Sequence, residues 1–456
     1  MRSSSPSRRD FLLGGALVGG AASLASCGTF TPVRARSPND RLRIGVIGCG
    51  GKGLSDMQGC AKTHDIVALC DVDQGKAKQA REEQPKASFY EDWRDLLDLE
   101  KLDGLVVSTP DHSHAGPALA AMALGINVFV QKPLTHTVLE ARLLREAARK
   151  SKVITSMGNQ GTTYDGFRTA AECVRGGIIG NVTEVHVWTD RPIWPQGIAR
   201  PKHIDAIPAS FRWDLWLGPA AWRSFATAKK DGTTGKMVGD FNGYAPFHWR
   251  GFWDFGTGAL GDMACHVANL PFFALELDAP TSVEAVSDGI NKETAPKRST
   301  IRFQFPARGK RGPITMIWYD GGDLPPATLL PGVKLRSGGF LLVGDKGTLY
   351  SPTDYGEKFD IYRGGAIAQV ELPTPTLPRS PGIHEEWLAG ILSQTQPMAN
   401  FEYAGPFTEA MLLGNLALRT GERIEWDAIA MQVKNSTIAQ QLLTKSYRRG
   451  FELPVV

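Results

Sequence analysis

Arg43-Ile44-Gly45-Val46-Ile47-Gly48-Cys49-Gly50-Gly51-Lys52-Gly53 is the stretch that decides the fold. Its first five residues form a short β-branched run that reads as a buried strand. The run feeds directly into a G-x-G-x-x-G at Gly48, Gly50 and Gly53. Gly48 permits a tight turn, Gly50 lets the backbone approach a pyrophosphate, and Gly53 lets the following helix pack on the strand with its N-terminus facing the phosphates. Alone the pattern is weak, but its context is specific. A helix follows, then a second apolar strand, Ile66-Val67-Ala68-Leu69-Cys70, which ends in Asp71. An acid about 20 residues past the glycine loop is placed to bind a ribose hydroxyl. With Asp73 close by, a 2′-phosphate would be repelled, so NAD is expected and NADP is disfavoured.

The βα rhythm continues outward from this unit. Leu102 to Ser108 reads as a strand, Ala115 to Leu124 as a helix, Asn127 to Val130 as a strand, Val138 to Lys150 as a helix and Val153 to Ser156 as a strand. Alternation of this kind predicts a parallel, doubly wound sheet, an α/β Rossmann dinucleotide-binding domain over 41–160. Past residue 160 the rhythm breaks. Thr183 to Trp188, Ser282 to Val286, Ser299 to Phe305, Ile314 to Tyr319, Gly339 to Val343 and Ile361 to Tyr362 read as sheet strands between Gly/Pro turns. Glu409 to Arg419 and Asp427 to Leu442 read as helical. The second unit, 161–456, is expected to be an α+β domain.

The first 27 residues read as an address rather than as fold. Ser7-Arg8-Arg9-Asp10-Phe11-Leu12 is a twin-arginine pattern, followed by an apolar run diluted by Gly14, Gly15, Gly19 and Gly20. The run is too short and glycine-rich for a comfortable membrane span. It ends in Leu24-Ala25-Ser26-Cys27, a lipobox that would leave Cys27 as a lipid-bearing N-terminus; a plain secretory peptide is the blander reading. Residues 28–40 read as a tether. The expected location is the periplasm or a membrane-anchored lipoprotein, reached by the export path that carries folded proteins. The rest of the composition is ordinary: 456 residues, 42 % hydrophobic and 21 % charged, which excludes a disordered chain and a multi-span membrane protein. A net charge of +4 with scattered basic residues shows no stripe for nucleic acid. Cys49, Cys60, Cys70, Cys173 and Cys265 form no CxxC pair and read as buried free thiols.

The loops after the strands carry the chemistry. Thr109-Pro110-Asp111-His112-Ser113-His114 follows one strand and Gln131-Lys132-Pro133 the next; Gly256 to His266 contains Asp262-Met263-Ala264-Cys265-His266. With the glycine loop, these motifs resemble the Gfo/Idh/MocA family, named for glucose–fructose oxidoreductase and inositol dehydrogenase. The resemblance covers about 41 to 456. It differs in two places: Asp111 stands where the family pattern T-P-N-x-x-H has asparagine, and Gln131 where E-K-P has glutamate. The resemblance implies a second domain with a large open mixed sheet, which often makes homo-oligomers, and a catalytic set of Lys132, Asp262 and His266. It also implies cofactor contacts from Thr109, Pro110, His114 and Lys132 beside Gly48, Gly50, Gly53 and Asp71.

Each residue type suits oxidation of a secondary alcohol. His266 can take the hydroxyl proton. Lys132 can bond the same oxygen and favour its alkoxide-like state. Asp262, one helical turn before His266, can orient it or bind a neighbouring hydroxyl. Asn159, Arg191, Trp249 and Trp253 are candidate contacts to a sugar, by planar donors and by stacking, although most tryptophans fill cores. No metal is expected, because Asp111, His112 and His114 show no tight ligand spacing. The sequence therefore points to an NAD-dependent oxidoreductase acting on a sugar or glycoside, with tightly held, recycled cofactor. Two alternatives stay open: a redox-neutral glycosidase, lyase or epimerase using transient oxidation, and a non-catalytic sugar-binding lipoprotein.

Overall fold

The computed structural model describes Ser37, residues 40–227 and residues 243–454. The twin-arginine segment, Cys27 and all of the tether except Ser37 and Asp40 lie outside the described residues.

Six strands form the first sheet: β1 (Arg43–Ile47), β2 (Asp65–Cys70), β3 (Ser88–Tyr90), β4 (Gly104–Val107), β5 (Asn127–Gln131) and β6 (Thr155–Gly158). All pairs are parallel, in the order β3-β2-β1-β4-β5-β6. The order reverses between β1 and β4, so their carboxyl ends open the crevice in which such sheets bind ligands. All three motif glycines are forced by packing, Gly50 because a Cβ would stand 2.7 Å from Lys76 Cβ. At Gly48, φ is +76° and a Cβ would stand 2.7 Å from the Ser108 carbonyl oxygen. At Gly53 a Cβ would collide with the carbonyl of Gly48. The helix Lys52–Ala61 therefore starts as close to β1 as a backbone can.

The second sheet has ten strands: β7 (Val182–Trp188), β8 (Ser282–Ser287), β9 (Ser299–Phe305), β10 (Ile314–Tyr319), β11 (Gly339–Gly344), β12 (Gly347–Ser351), β13 (Asp360–Arg363), β14 (Ala366–Ile367), β15 (Ile424–Asp427) and β16 (Gln432–Val433). Their order is β14-β13-β12-β11-β7-β10-β9-β8-β15-β16. Only β7 and β10 pair in parallel, so the sheet is mixed. Alternation along the central strands splits its two faces. Val185 and Val187 join the core shared with the first domain, while Trp188, Ile317, Tyr319 and Leu341 pack under the segment that carries Leu329, Leu330 and Val333.

Three C-terminal features depart from the sequence reading. The helix Phe401–Thr420 begins eight residues before the expected start at Glu409 and runs through Pro406. It lies tightly on the helix Val138–Ser151, with Gly405 so close that a Cβ would stand 3.0 Å from Arg145 Cβ. The stretch Asp427 to Leu442 is not one helix. Ile424–Asp427 pairs with β8 and Asp427 accepts from Ala430 N at 3.1 Å, turning the chain into β16; only Thr437–Gln441 is helical. The helix Ile383–Ser393 crosses back to the first domain, where Trp387 is fully buried beside Ile44, Val106 and Phe129. Chain order and packing thus part company at this helix. All five described cysteines are free and buried.

Candidate active site

A cavity of about 680 Å³ opens at the carboxyl ends of β1, β2, β4 and β5. Gly48, Gly50 and Asp71 line one end and Lys132 and Asp262 the other, with Thr109, Pro110 and Asp111 between them. Asp71 accepts from Gly50 N at 3.0 Å and from Asp73 N at 2.9 Å, which fixes its carboxylate over the glycine loop. Burial pushes its carboxyl up to about 6. The buried Thr109 hydroxyl has no hydrogen-bond partner among the described residues. A steric cradle at Gly48, a carboxylate at the end of β2 and an unpaired hydroxyl in the wall between suit a dinucleotide in length and chemistry.

The cavity is roofed from the second domain. Gln74 N donates to Ser210 O at 3.0 Å and Arg212 N to Val72 O at 2.8 Å, so residues 210–212 lie along the loop after β2. Phe211, Trp216 and Phe225 supply its apolar inner wall. The C-terminal segment holds this roof down: Arg448 donates through N to Pro219 O at 3.0 Å and through Nε to Gly218 O at 2.9 Å. Phe451 and Leu453 then reach the cavity themselves.

At the far end Lys132 Nζ donates to the Asp262 carbonyl at 3.0 Å and to Asp262 Oδ1 at 3.1 Å. Arg250 Nε stands 3.4 Å from the same carboxylate oxygen. Burial alone would raise Asp262, but Lys132 and Arg250 outweigh it and hold the carboxyl below its ordinary value. Burial pulls Lys132 down, yet Asp262 reverses that and leaves the ammonium above its ordinary value. The pair is thus a fixed charge pair at neutral pH. Arg250 is held flat by Phe247 and Trp249, its guanidinium carbon 4.3 and 4.4 Å from their ring centroids.

His266 lies outside the cavity wall. Its Nδ1 is 3.3 Å from Asn159 Oδ1, and the Asn159 amide donates to the Cys265 carbonyl. That orientation makes Nδ1 the donor and leaves Nε2 as the proton acceptor. Its ring meets Tyr355 edge-on at 4.8 Å. Burial, then the Lys132 charge, pulls His266 down to about 3, so the imidazole is neutral at physiological pH.

The structure therefore brings Gly48, Gly50, Asp71, Thr109, Pro110, Lys132, Asp262 and Trp249 into one cavity wall, with Gly53 packed behind the loop. Five expected site residues do not fall there, His266 being the first. His114 is fully buried, with Nδ1 2.9 Å from Pro133 O and Nε2 2.8 Å from Thr109 O; it clamps the two loops together from behind. Trp253 donates to Asn291 O at 2.9 Å and carries Arg419 on its ring, as a core tryptophan. Arg191 pairs with its neighbour Asp190. Asn159 acts on His266 rather than on the cavity. Sequence reasoning missed the roles of Arg250, Asp111 and Tyr355. Asp111 stands in the quoted Thr109–His114 motif and Arg250 directly follows the expected contact Trp249, whereas Tyr355 comes from a loop after β12 with no local signal. Among the described residues no three His, Cys, Asp or Glu side chains are grouped to hold a metal ion.

The model for the NAD-binding Rossmann fold of the GFO_IDH_MocA oxidoreductase family matches residues 42–159, and that for the family's C-terminal alpha/beta domain matches residues 192–309. The chain belongs to the Gfo/Idh/MocA oxidoreductase family. It is 32 % identical over 243 residues to a glycosyl hydrolase family 109 protein of Solibacter usitatus, covering 50 % of this chain and 52 % of that protein. It is 27 % identical over 150 residues to inositol 2-dehydrogenase of Salmonella typhimurium, covering 32 % of this chain and 45 % of the relative. The chain thus spans about half the length of the curated relatives it matches. Two solved structures share the fold. A WlbA dehydrogenase from Chromobacterium violaceum, in complex with NADH and UDP-GlcNAcA, superimposes with a TM-score of 0.58 at 16 % identity, over 87 % of this chain and 99 % of that one. The aldose–aldose oxidoreductase of Caulobacter crescentus gives 0.55 at 16 % identity, over 85 % and 100 %. At these identities the likeness is one of fold.

Proposed function

We propose that this Gfo/Idh/MocA protein is an NAD-dependent oxidoreductase that takes a hydride from a secondary hydroxyl of a sugar or glycoside and keeps its nucleotide. The observation that carries the reading is the Lys132–Asp262 charge pair at one end of a cavity whose other end is the glycine loop and Asp71. The nucleotide supplies the hydride acceptor. Gly48, Gly50 and the start of the helix Lys52–Ala61 would hold its phosphates, Asp71 its ribose hydroxyls, and Thr109 and Pro110 the wall toward the ring. Asp71 beside Asp73 favours NAD over NADP by charge.

The chain's own part is proton handling and placement. Lys132 Nζ has its fixed charge at the cavity end and can donate to a substrate oxygen, lowering the cost of the developing alkoxide. His266, one helical turn after Asp262 and fixed by Asn159 through Nδ1, lies behind that pair rather than in the cavity wall, so it would take up the hydroxyl proton only by way of a group in the wall. Asp262 balances Lys132 so that neither charge is buried alone. The sugar class rests on the relatives named for inositol and for aldoses.

The roof of residues 210–219 and the tail through Leu453 support tight retention, since both would have to lift for the nucleotide to leave. Retention would suit an exported enzyme, which finds no useful free NAD outside the cytoplasm. The twin-arginine pattern and the lipobox at Cys27 support that location and anchor, and the open ten-stranded sheet supports a homo-oligomer. A second reading shares the site: a redox-neutral glycosidase, lyase or epimerase that returns the hydride. The family 109 relative, at 32 % identity, favours keeping it. Denaturing the purified protein and identifying the released nucleotide, before and after soaking in sugars and glycosides, tests both. Release of NAD that becomes NADH after soaking supports net oxidation. Release of NAD with new product but unchanged redox state supports the neutral cycle. NADP, or no nucleotide, contradicts both.

A further inference from the structure

We propose that Asp111 is the internal proton store of this site: it takes up the proton that leaves the substrate hydroxyl when the hydride moves, and gives it back when the hydride returns. The inference rests on the NAD reading above. Oxidising a secondary alcohol breaks one C–H and one O–H bond and forms C=O. The hydride leaves with its electron pair for the nicotinamide ring, and the hydroxyl proton must go to the protein or to water. An enzyme that later returns the hydride must also supply a proton to the same oxygen.

The geometry singles out Asp111. It opens the turn Asp111–Ser113 after β4, is 3 % exposed, and forms part of the cavity wall beside Thr109 and Lys132. Oδ2 accepts from the Thr257 hydroxyl at 2.8 Å. Oδ1 has no hydrogen-bond partner among the described residues. The groups that face it are Asp262 and Cys265 on the helix Gly258–Val267, Arg250 from the turn His248–Gly251, and Lys132 after β5. Cys265 stays a neutral thiol, pushed up by burial to about 12. Lys132 and Arg250 both pair with Asp262, and among the described residues Asp111 has no ion pair. Two carboxyls thus share one set of cations, and the unpaired one holds the proton.

Burial, then the Asp262 charge, pushes the Asp111 carboxyl up to about 7. At neutral pH, one unit of charge nearby is then enough to decide its state. Reduction of a bound nicotinamide removes one positive charge from the cavity, which favours the protonated carboxyl. Asparagine, usual at this position in the family pattern, has the same shape and cannot store a proton.

Infrared difference spectroscopy on the purified protein loaded with NAD⁺ or with NADH tests this, with loading read from the nucleotide's own absorbance. At pH 7 the NADH form should show a carboxylic-acid carbonyl band, about one proton per chain, that the NAD⁺ form lacks. The band should vanish in Asp111→Asn and in Asp111→Ser. Equal spectra in two correctly loaded forms, or a band that survives both substitutions, would overturn the inference and leave the NAD reading standing. A protein that binds neither nucleotide would overturn both.

Discussion

Gln131 Nε2 donates to Asp56 Oδ2 at 2.9 Å, one residue before Lys132. Asp56 is fully buried in the helix that follows the glycine loop, and it also meets Lys52, Ser108 and His384. The amide at 131 explains why glutamine replaces the glutamate of E-K-P: a second carboxylate would face the buried first one. The contact ties the phosphate-binding helix to the loop that carries Lys132.

Gln131→Glu should therefore cost about 1–3 kcal/mol at neutral pH, the usual penalty for leaving a buried polar group unsatisfied. Its new carboxyl would have a raised pKa in the folded state. The loss should be small below the unfolded value near 4.3 and grow as pH rises through the folded value. Melting curves at pH 5 and pH 8 check the sign. Adding Asp56→Asn should recover most of the loss; a Gln131→Glu protein equally stable at both pH values would refute the explanation.

Lys132→Ala and His266→Ala should each lower turnover by about 10²–10⁴-fold, the range for a positioned acid–base group. Lys132→Ala should be at least as harmful, because it also leaves Asp262 with Arg250 alone. Nucleotide content should stay intact in His266→Ala, since His266 does not touch the cavity. Steady-state rates with measured nucleotide occupancy decide it; a doubly substituted protein with normal turnover would move the chemistry elsewhere.

Asp71→Ala should weaken NAD binding and narrow the gap to NADP, because it removes the ribose acceptor and the charge that repels a 2′-phosphate. Competition between the two nucleotides for refolded, nucleotide-free protein is the check. Preference of the unsubstituted protein for NADP would contradict the assignment.

Asp111 predicts a stability trend with a definite sign. Its folded pKa, about 7, lies above the unfolded value near 3.9. Between those values the folded protein keeps a proton that the unfolded chain has released, so this group's contribution to stability falls as pH rises from about 4 to 7. Asp111→Asn removes the trend. The difference in melting temperature, variant minus wild type, should rise from pH 5 to pH 8 in nucleotide-free protein. A flat difference would mean an ordinary carboxyl.

What could be read from the sequence was local. The strand Arg43–Ile47, Gly48, Gly50, Gly53 and Asp71 announced the first domain because turn sterics and strand periodicity act within about 20 residues. Lys132 and Asp262 were found through motifs. What stayed hidden depends on distant partners. His114 looked like a cofactor contact, yet both its nitrogens face backbone carbonyls that only the folded loops bring there. Trp253 and Arg191 have the chemistry of a sugar site but were placed elsewhere by packing. Tyr355, the 210–219 roof and the tail at Phe451 come from segments with no motif.

The central claim is that the nucleotide stays in the protein while hydride passes through it. The most direct measurement is conversion of sugar or glycoside substrates by gel-filtered protein with no added nucleotide. The account predicts about one nicotinamide nucleotide retained per chain, as a single glycine loop implies, and many turnovers without supplement. Loss of the nucleotide on desalting, with activity restored only by added NAD, would contradict it and indicate a conventional dehydrogenase.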